Sequence, residues 1–154
     1  MSRFPRLRPV KRRRILKIQI HRQTRAELPN RAIQRIADRV LRGEKAKVSG
    51  ALSIILVDDA AIRDLNLRFL KKDRPTDVIA FELGDGDVWG EVYVSAERTR
   101  EQAGDYGVPP KEELARCVIH GVLHLLGYDD GTVRERRVMK GKEEEYLGKV
   151  GELL

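Results

Sequence analysis

Apolar positions in this chain fall into segments with two different periods. Residues 15–20 alternate apolar and polar, the pattern of a strand with one face buried. Ile33, Ile36, Ala37, Val40 and Leu41 recur at helical spacing and predict an amphipathic helix ending near Gly43. Residues 52–57 form an apolar run broken only by Ser53, which predicts a central strand covered on both faces. Asp58 or Asp59 is then placed to cap a helix carrying Ile62, Leu65 and Phe69 on one side. A polar loop at 71–75 leads into a strand at 77–83. The Gly-Asp-Gly-Asp turn at 84–87 joins it to a second strand at 88–94, forming a hairpin. Three helices complete the pattern. Ser95 caps the first, Pro110 with Glu112 and Glu113 opens the second, and Thr132 with Glu135 makes a capping box for the third.

The order β-α-β-α-β-β-α-α-α predicts an α+β fold, a mixed sheet of about four strands with helices packed on it. The first crossover is long enough to join parallel strands, and the later hairpin is antiparallel. With 154 residues and no repeat or low-complexity linker, the chain reads as one domain over 1–154 with an N-terminal arm of about residues 1–14. A single cysteine, Cys117, leaves no intrachain disulfide and agrees with a reducing compartment. The longest stretch without a charged residue, 117–128, falls far short of the roughly 20 residues that span a bilayer. Lys17 interrupts the apolar residues that follow the basic N-terminus, so no secretory leader is expected and the location read is cytoplasmic.

Charge changes the picture. Residues 1–26 hold ten Lys or Arg and no Asp or Glu, so the remainder nets −3 while the whole chain is +7. A basic arm on a near-neutral body suits phosphate contact, because Lys and Arg bind polyanions by displacing counterions.

The chemically informative stretch is His120-Gly-Val-Leu-His124-Leu-Leu-Gly127-Tyr-Asp-Asp130. On a helix, residues four apart are rotated by only about 40° and separated by about 6 Å, so both imidazoles project from one face. Gly127 can adopt the left-handed conformation that ends helices, and Thr132 starts the next one. The connection between them can fold Asp130 back towards the histidines. Two imidazoles and a carboxylate form a three-ligand set with room for water, the arrangement of catalytic rather than structural zinc. Cys117, one turn before His120, is a further candidate ligand, although such a cysteine is more often a small core residue. His21 carries no signal. The spacing is that of metzincin proteases, which place a general-base Glu after the first His. Gly121 occupies that position here and counts against peptide hydrolysis.

With these residues in view, the chain resembles the YbeY family of bacterial endoribonucleases. The segment from His120 to Asp129 is similar to that family's metal helix. Leu65-Asn66 followed by Pro75-Thr-Asp-Val-Ile-Ala-Phe81 is similar to its central block. Gly90-Glu-Val-Tyr-Val-Ser95 stands where the family has Gly-Asp-Ile-x-Ile-Ser, and the matches run in order over about 52–147. The resemblance implies a metzincin-like topology, a zinc site, cleavage of single-stranded RNA, and a role in ribosomal RNA maturation and ribosome quality control. Three departures accompany it. Asp130 replaces a histidine ligand, Leu70 replaces an arginine, and Glu91 replaces an aspartate. A carboxylate ligand makes the metal a weaker Lewis acid and also suits iron(II), so other divalent metals are admitted.

The leading reading is therefore metal-dependent hydrolysis of RNA, with metal at His120, His124 and Asp130 and phosphates held by Arg68, Lys71, Lys72 and Arg74. No residue stands out as general base. One alternative is a ribosome-associated RNA-binding factor with a mainly structural metal. Another is a metal-dependent hydrolase of peptides or small molecules.

Overall fold

The computed structural model describes residues 16–70, 76–84 and 87–154. Its elements follow the predicted order. They are β1 (Leu16–Arg22), α1 (Asn30–Gly43), β2 (Gly50–Val57), α2 (Asp59–Leu65), β3 (Val78–Glu82), β4 (Val88–Ser95), α3 (Ala96–Tyr106), α4 (Pro110–Leu125) and α5 (Val133–Val150). The four strands form one mixed sheet in the order β1-β2-β4-β3. β1 and β4 both pair parallel to β2, and β3 pairs antiparallel with β4 at the edge.

β2 is covered on both faces, as its apolar run requires. Leu52, Ile54 and Leu56 enter the main core with Ile33, Ile36 and Val40 of α1 and Val118, Ile119 and Val122 of α4. Ile55 and Val57 point the other way and join Ile62 and Ile79 in a smaller cluster under α2. α4 lies close against β4 because neither element carries a side chain at the tightest points. A Cβ on Gly121 would run into Val92 and stand 3.0 Å from Val78, and one on Gly90 would stand 2.9 Å from Leu125. Position 121 thus faces the sheet. A glutamate there, as in a protease, would be driven into the core rather than towards the histidines.

The predicted caps form. Asp58 is the one that caps α2, accepting from the Ala61 amide at 2.8 Å. Ser95 accepts from the Arg98 amide at 3.1 Å. In the capping box of α5, Thr132 accepts from the Glu135 amide at 3.1 Å and its own amide donates to Glu135 at 3.0 Å.

The helix expected to run through Phe69 departs from the prediction. It is α-helical only to Leu65, and Asn66–Leu70 then form a π-helical turn. The wider turn rotates Phe69 out of register with Ile62. Phe69 is 58% exposed, with its ring edge-on to Phe81 at 5.5 Å, instead of part of the core.

Glu44, at the C-terminal cap of α1, ties three elements together. Its carboxylate accepts from Tyr128 at 2.6 Å, from Lys142 at 3.0 Å and from the hydroxyl of the fully buried Tyr146. Burial alone would raise the Glu44 pKa, but these hydrogen bonds and the Lys142 charge outweigh it and hold the carboxyl below its ordinary value. A carboxyl lowered by folding stabilises the fold above its ordinary value of 4.5, and that contribution fades as pH falls through the lowered one. Glu44→Ala strands the buried Tyr146 hydroxyl and is expected to reduce unfolding free energy by about 1–3 kcal/mol at pH 7 in urea titrations. The difference between the two proteins should close in acid; a gap that persists unchanged at pH 3 contradicts this assignment.

Candidate metal centre

α4 ends where the sequence places a stop. Gly127 has φ +103°, and its amide donates to the His124 carbonyl at 3.0 Å while the Tyr128 amide donates to the Leu123 carbonyl at 3.0 Å. This pair of bonds is a Schellman termination, and the positive φ it needs favours glycine. The chain then reverses through residues 128–131. Tyr128 is pinned to Glu44, and the capping box starts α5 at Val133. Asp130 is carried back over the last turns of α4.

The result is a triangle of donor atoms. The Nε2 atoms of His120 and His124 stand 3.0 Å apart, and Asp130 Oδ2 lies 3.4 Å from each. Donors held tetrahedrally at the 2.0–2.1 Å typical of zinc–nitrogen and zinc–oxygen bonds stand about 3.3 Å from one another. The observed sides match that spacing, and the donor chemistry is that of a divalent transition metal. Among the described residues this trio is the group of His, Cys, Asp or Glu side chains positioned to hold an ion. The imidazoles are half-buried, and the Asp130 side chain is 45% exposed, so one side of the triangle opens to solvent.

One partner of His120 has no signal in the sequence. The imidazole Nδ1–H of His120 donates to the carboxylate of Glu143 on α5, which is buried. That bond leaves the lone pair of His120 Nε2 facing His124 and Asp130, the tautomer that metal ligation requires. Glu143 also accepts from Arg116 Nη1 at 3.0 Å, and Arg116 forks onto the buried Glu113. Burial alone would lower the His120 pKa. The Glu143 bond, with the charges of Glu143, Asp77 and Asp130, reverses the shift and raises it. Burial likewise works to raise Glu143, and the hydrogen bonds and charges of His120 and Arg116 hold it low.

Cys117 stands apart from the triangle. Its thiol is buried and faces Asp77 at 3.7 Å and Glu113 at 3.8 Å. Burial, then the charges of Asp77 and Glu113, push its pKa well above the ordinary thiol value. A thiol kept protonated this way is a poor metal ligand.

Of the predicted phosphate contacts, Arg68 alone falls among the described residues. Arg68 sits on the exposed π-helical turn and pairs with Asp64 at 3.4 Å. Lys71, Lys72 and Arg74 lie outside the described residues, as do the basic arm and Ile15. A cleft of about 450 Å³ opens beside His120 and Asp130, between the end of α3, α4 and α5. Among the described residues, no helix is long and apolar enough to cross a membrane.

The chain is similar to known proteins over most of its length. A family model described as "Endoribonuclease YbeY" matches residues 17–151. The endoribonuclease YbeY of Pelotomaculum thermopropionicum is 39% identical over 127 residues, covering 77% of this chain and 84% of that protein. The one from Chloroherpeton thalassium is 36% identical over 133 residues, covering 86% and 94%. The solution structure of TM1509 from Thermotoga maritima is similar at a TM-score of 0.57, with 31% identity over 86% of this chain and 88% of that one.

Removing Glu143 tests the network without reference to any ion. In metal-free protein, Glu143→Ala leaves the His120 Nδ1–H without its partner and is expected to cost about 1–3 kcal/mol of stability in urea. Glu143→Gln keeps an acceptor and should recover most of that loss. Equal losses in both variants would mean that the carboxylate charge, not the hydrogen bond, is what matters.

Proposed function

This chain belongs to the YbeY family of endoribonucleases, and we propose that it cuts single-stranded RNA using a divalent metal ion held by His120, His124 and Asp130. The carrying observation is the donor triangle, with sides of 3.0, 3.4 and 3.4 Å, inside the segment that the family model matches. Ribosomal RNA in the cytoplasm is the substrate and setting this reading favours.

A metal bound there supplies Lewis acidity, polarising a phosphoryl oxygen or lowering the pKa of a water towards about 7. The protein's own contribution is positioning. Glu143 holds His120 in the ligating tautomer, and the Schellman turn holds Asp130 across from both rings. The carboxylate of Asp130 brings a negative charge where an imidazole would bring none, which favours a harder or less acidic ion such as iron(II) alongside zinc. Basic side chains offset charge developing on the phosphate in the transition state. Arg68, Lys71, Lys72 and Arg74 are candidates for that task, and the arm at residues 1–14 extends the electrostatic track along the RNA.

Gly121 argues against peptide hydrolysis, because the position of the protease general base faces Val92 in the core. The binding-factor alternative is separated by turnover. Purified protein is expected to cleave a single-stranded oligoribonucleotide, and His120→Ala or a chelator should abolish cleavage. Loss of cleavage on further purification, or full cleavage by His120→Ala, overturns the nuclease reading.

Elemental analysis tests the ligands separately. His124→Ala should lose stoichiometric metal, whereas Cys117→Ala should keep it; the reverse pattern would reassign the site. Deleting residues 1–14 should flatten the dependence of RNA affinity on salt by about 0.7 in log–log slope for each phosphate the arm neutralises, with metal content unchanged.

A further inference from the structure

The cleft beside the donor triangle has a composition that the metal site does not need. Its wall on α5 carries Arg136 and Lys140, one helical turn apart on the same face. Both are exposed, and no carboxylate partner is described for either. Among the described residues, the Arg136 guanidinium donates to the backbone carbonyl of Asp130, at 3.2 Å, which sets it directly beside a member of the triangle. Across the cleft Tyr106, the last residue of α3, is 61% exposed. Its ring is held by the Arg116 guanidinium 5.8 Å from the centroid.

We propose that this cleft seats the nucleotide next to the scissile phosphate of single-stranded RNA. Arg136 and Lys140 neutralise its phosphate, and the Tyr106 ring stacks on its base. The assignment rests on the nuclease reading and deepens it.

Three physical points carry it. The cleft volume of about 450 Å³ is that of a pocket for a small ligand, a class spanning roughly 300–1,000 Å³. Arg116 and Glu143 in the same cleft are already satisfied by each other and by Glu113 and His120, so they add little net charge for a ligand. Two cations with no carboxylate partner among the described residues, beside an exposed ring, are the combination used for single strands, a charged track with a stacking platform. A base can reach Tyr106 only if it is unpaired, which gives the site a preference for single strands without any reading of base edges. Glu144 is the lining carboxylate for which no partner is described, and it opposes a phosphate.

The test is equilibrium binding of a fluorescein-labelled 12-nucleotide uridine oligoribonucleotide to the purified protein on ice, with the RNA checked for integrity after each titration. Arg136→Ala combined with Lys140→Ala is expected to weaken binding about ten- to thirtyfold at 0.1 M salt and to reduce the log–log salt slope by about 0.7. Lys140→Ala alone keeps the Arg136 bond to the Asp130 carbonyl in place and should give about half that change in slope. Tyr106→Leu should weaken binding about fivefold or more, with Tyr106→Trp restoring it. Glu144→Gln should tighten it. Arg134→Ala combined with Arg137→Ala, two exposed cations of α5 outside the cleft, should match wild type. Wild-type affinity in the Arg136/Lys140 variant overturns the cleft assignment alone. Equal losses in the Arg134/Arg137 variant overturn it too, by reducing the effect to diffuse charge. A wild-type protein that neither binds nor cuts the oligomer overturns the nuclease reading together with this one.

Discussion

Everything at the candidate site depends on where α4 stops. Continued for one more turn, the helix would carry residue 130 away from both imidazoles. With Gly127 in a left-handed conformation the chain turns back, and the orphan carbonyls of Leu123 and His124 are satisfied by the amides of Tyr128 and Gly127. The same residues that supply ligands also sit in the termination motif, since His124 is at once a donor of the triangle and the acceptor of the Gly127 amide. The motif alone sets only a direction. The loop is held at its far end by Tyr128 on Glu44 and by the Thr132–Glu135 box, so Asp130 is fixed from both sides.

α4 must serve two environments. One face is packed into the sheet so tightly that Gly121 and Gly90 leave no room for a Cβ. The other face carries Glu113, Arg116 and His120, polar groups that are half-buried or buried and so need partners. α5 supplies the missing one. Glu143 bridges Arg116 and His120, turning three costly burials into one satisfied network and fixing a tautomer as it does so. Cys117, between those two residues in sequence, is drawn to Asp77 and Glu113 and stays a protonated core thiol.

Membership of the YbeY family and the substitution of aspartate at position 130 meet in this arrangement. The carboxylate closes the donor triangle at the same distance from each ring, 3.4 Å, so the geometry accepts it. What changes is charge. A negative ligand would lower the Lewis acidity of an ion held there, and the phosphate neutralisation proposed for Arg136 and Lys140 would then matter more.

Local periodicity was enough for much of this. The order of elements, the caps at Ser95 and Thr132 and at one of Asp58 and Asp59, the start of α4 at Pro110, the shared face of His120 and His124, and the stop at Gly127 are set by contacts within a few residues, and such contacts leave spacing rules in the chain. The strand order β1-β2-β4-β3 and the π-helical turn that exposes Phe69 leave no such rule. Nor do the bonds of His120 to Glu143, 23 residues on, and of Glu44 to Lys142, 98 residues on. Glu143 is one acid among the charged residues of α5, and Glu44 one among those after α1. Packing against the sheet selects which of them is buried beside a partner, and that selection exists only once distant segments share one core.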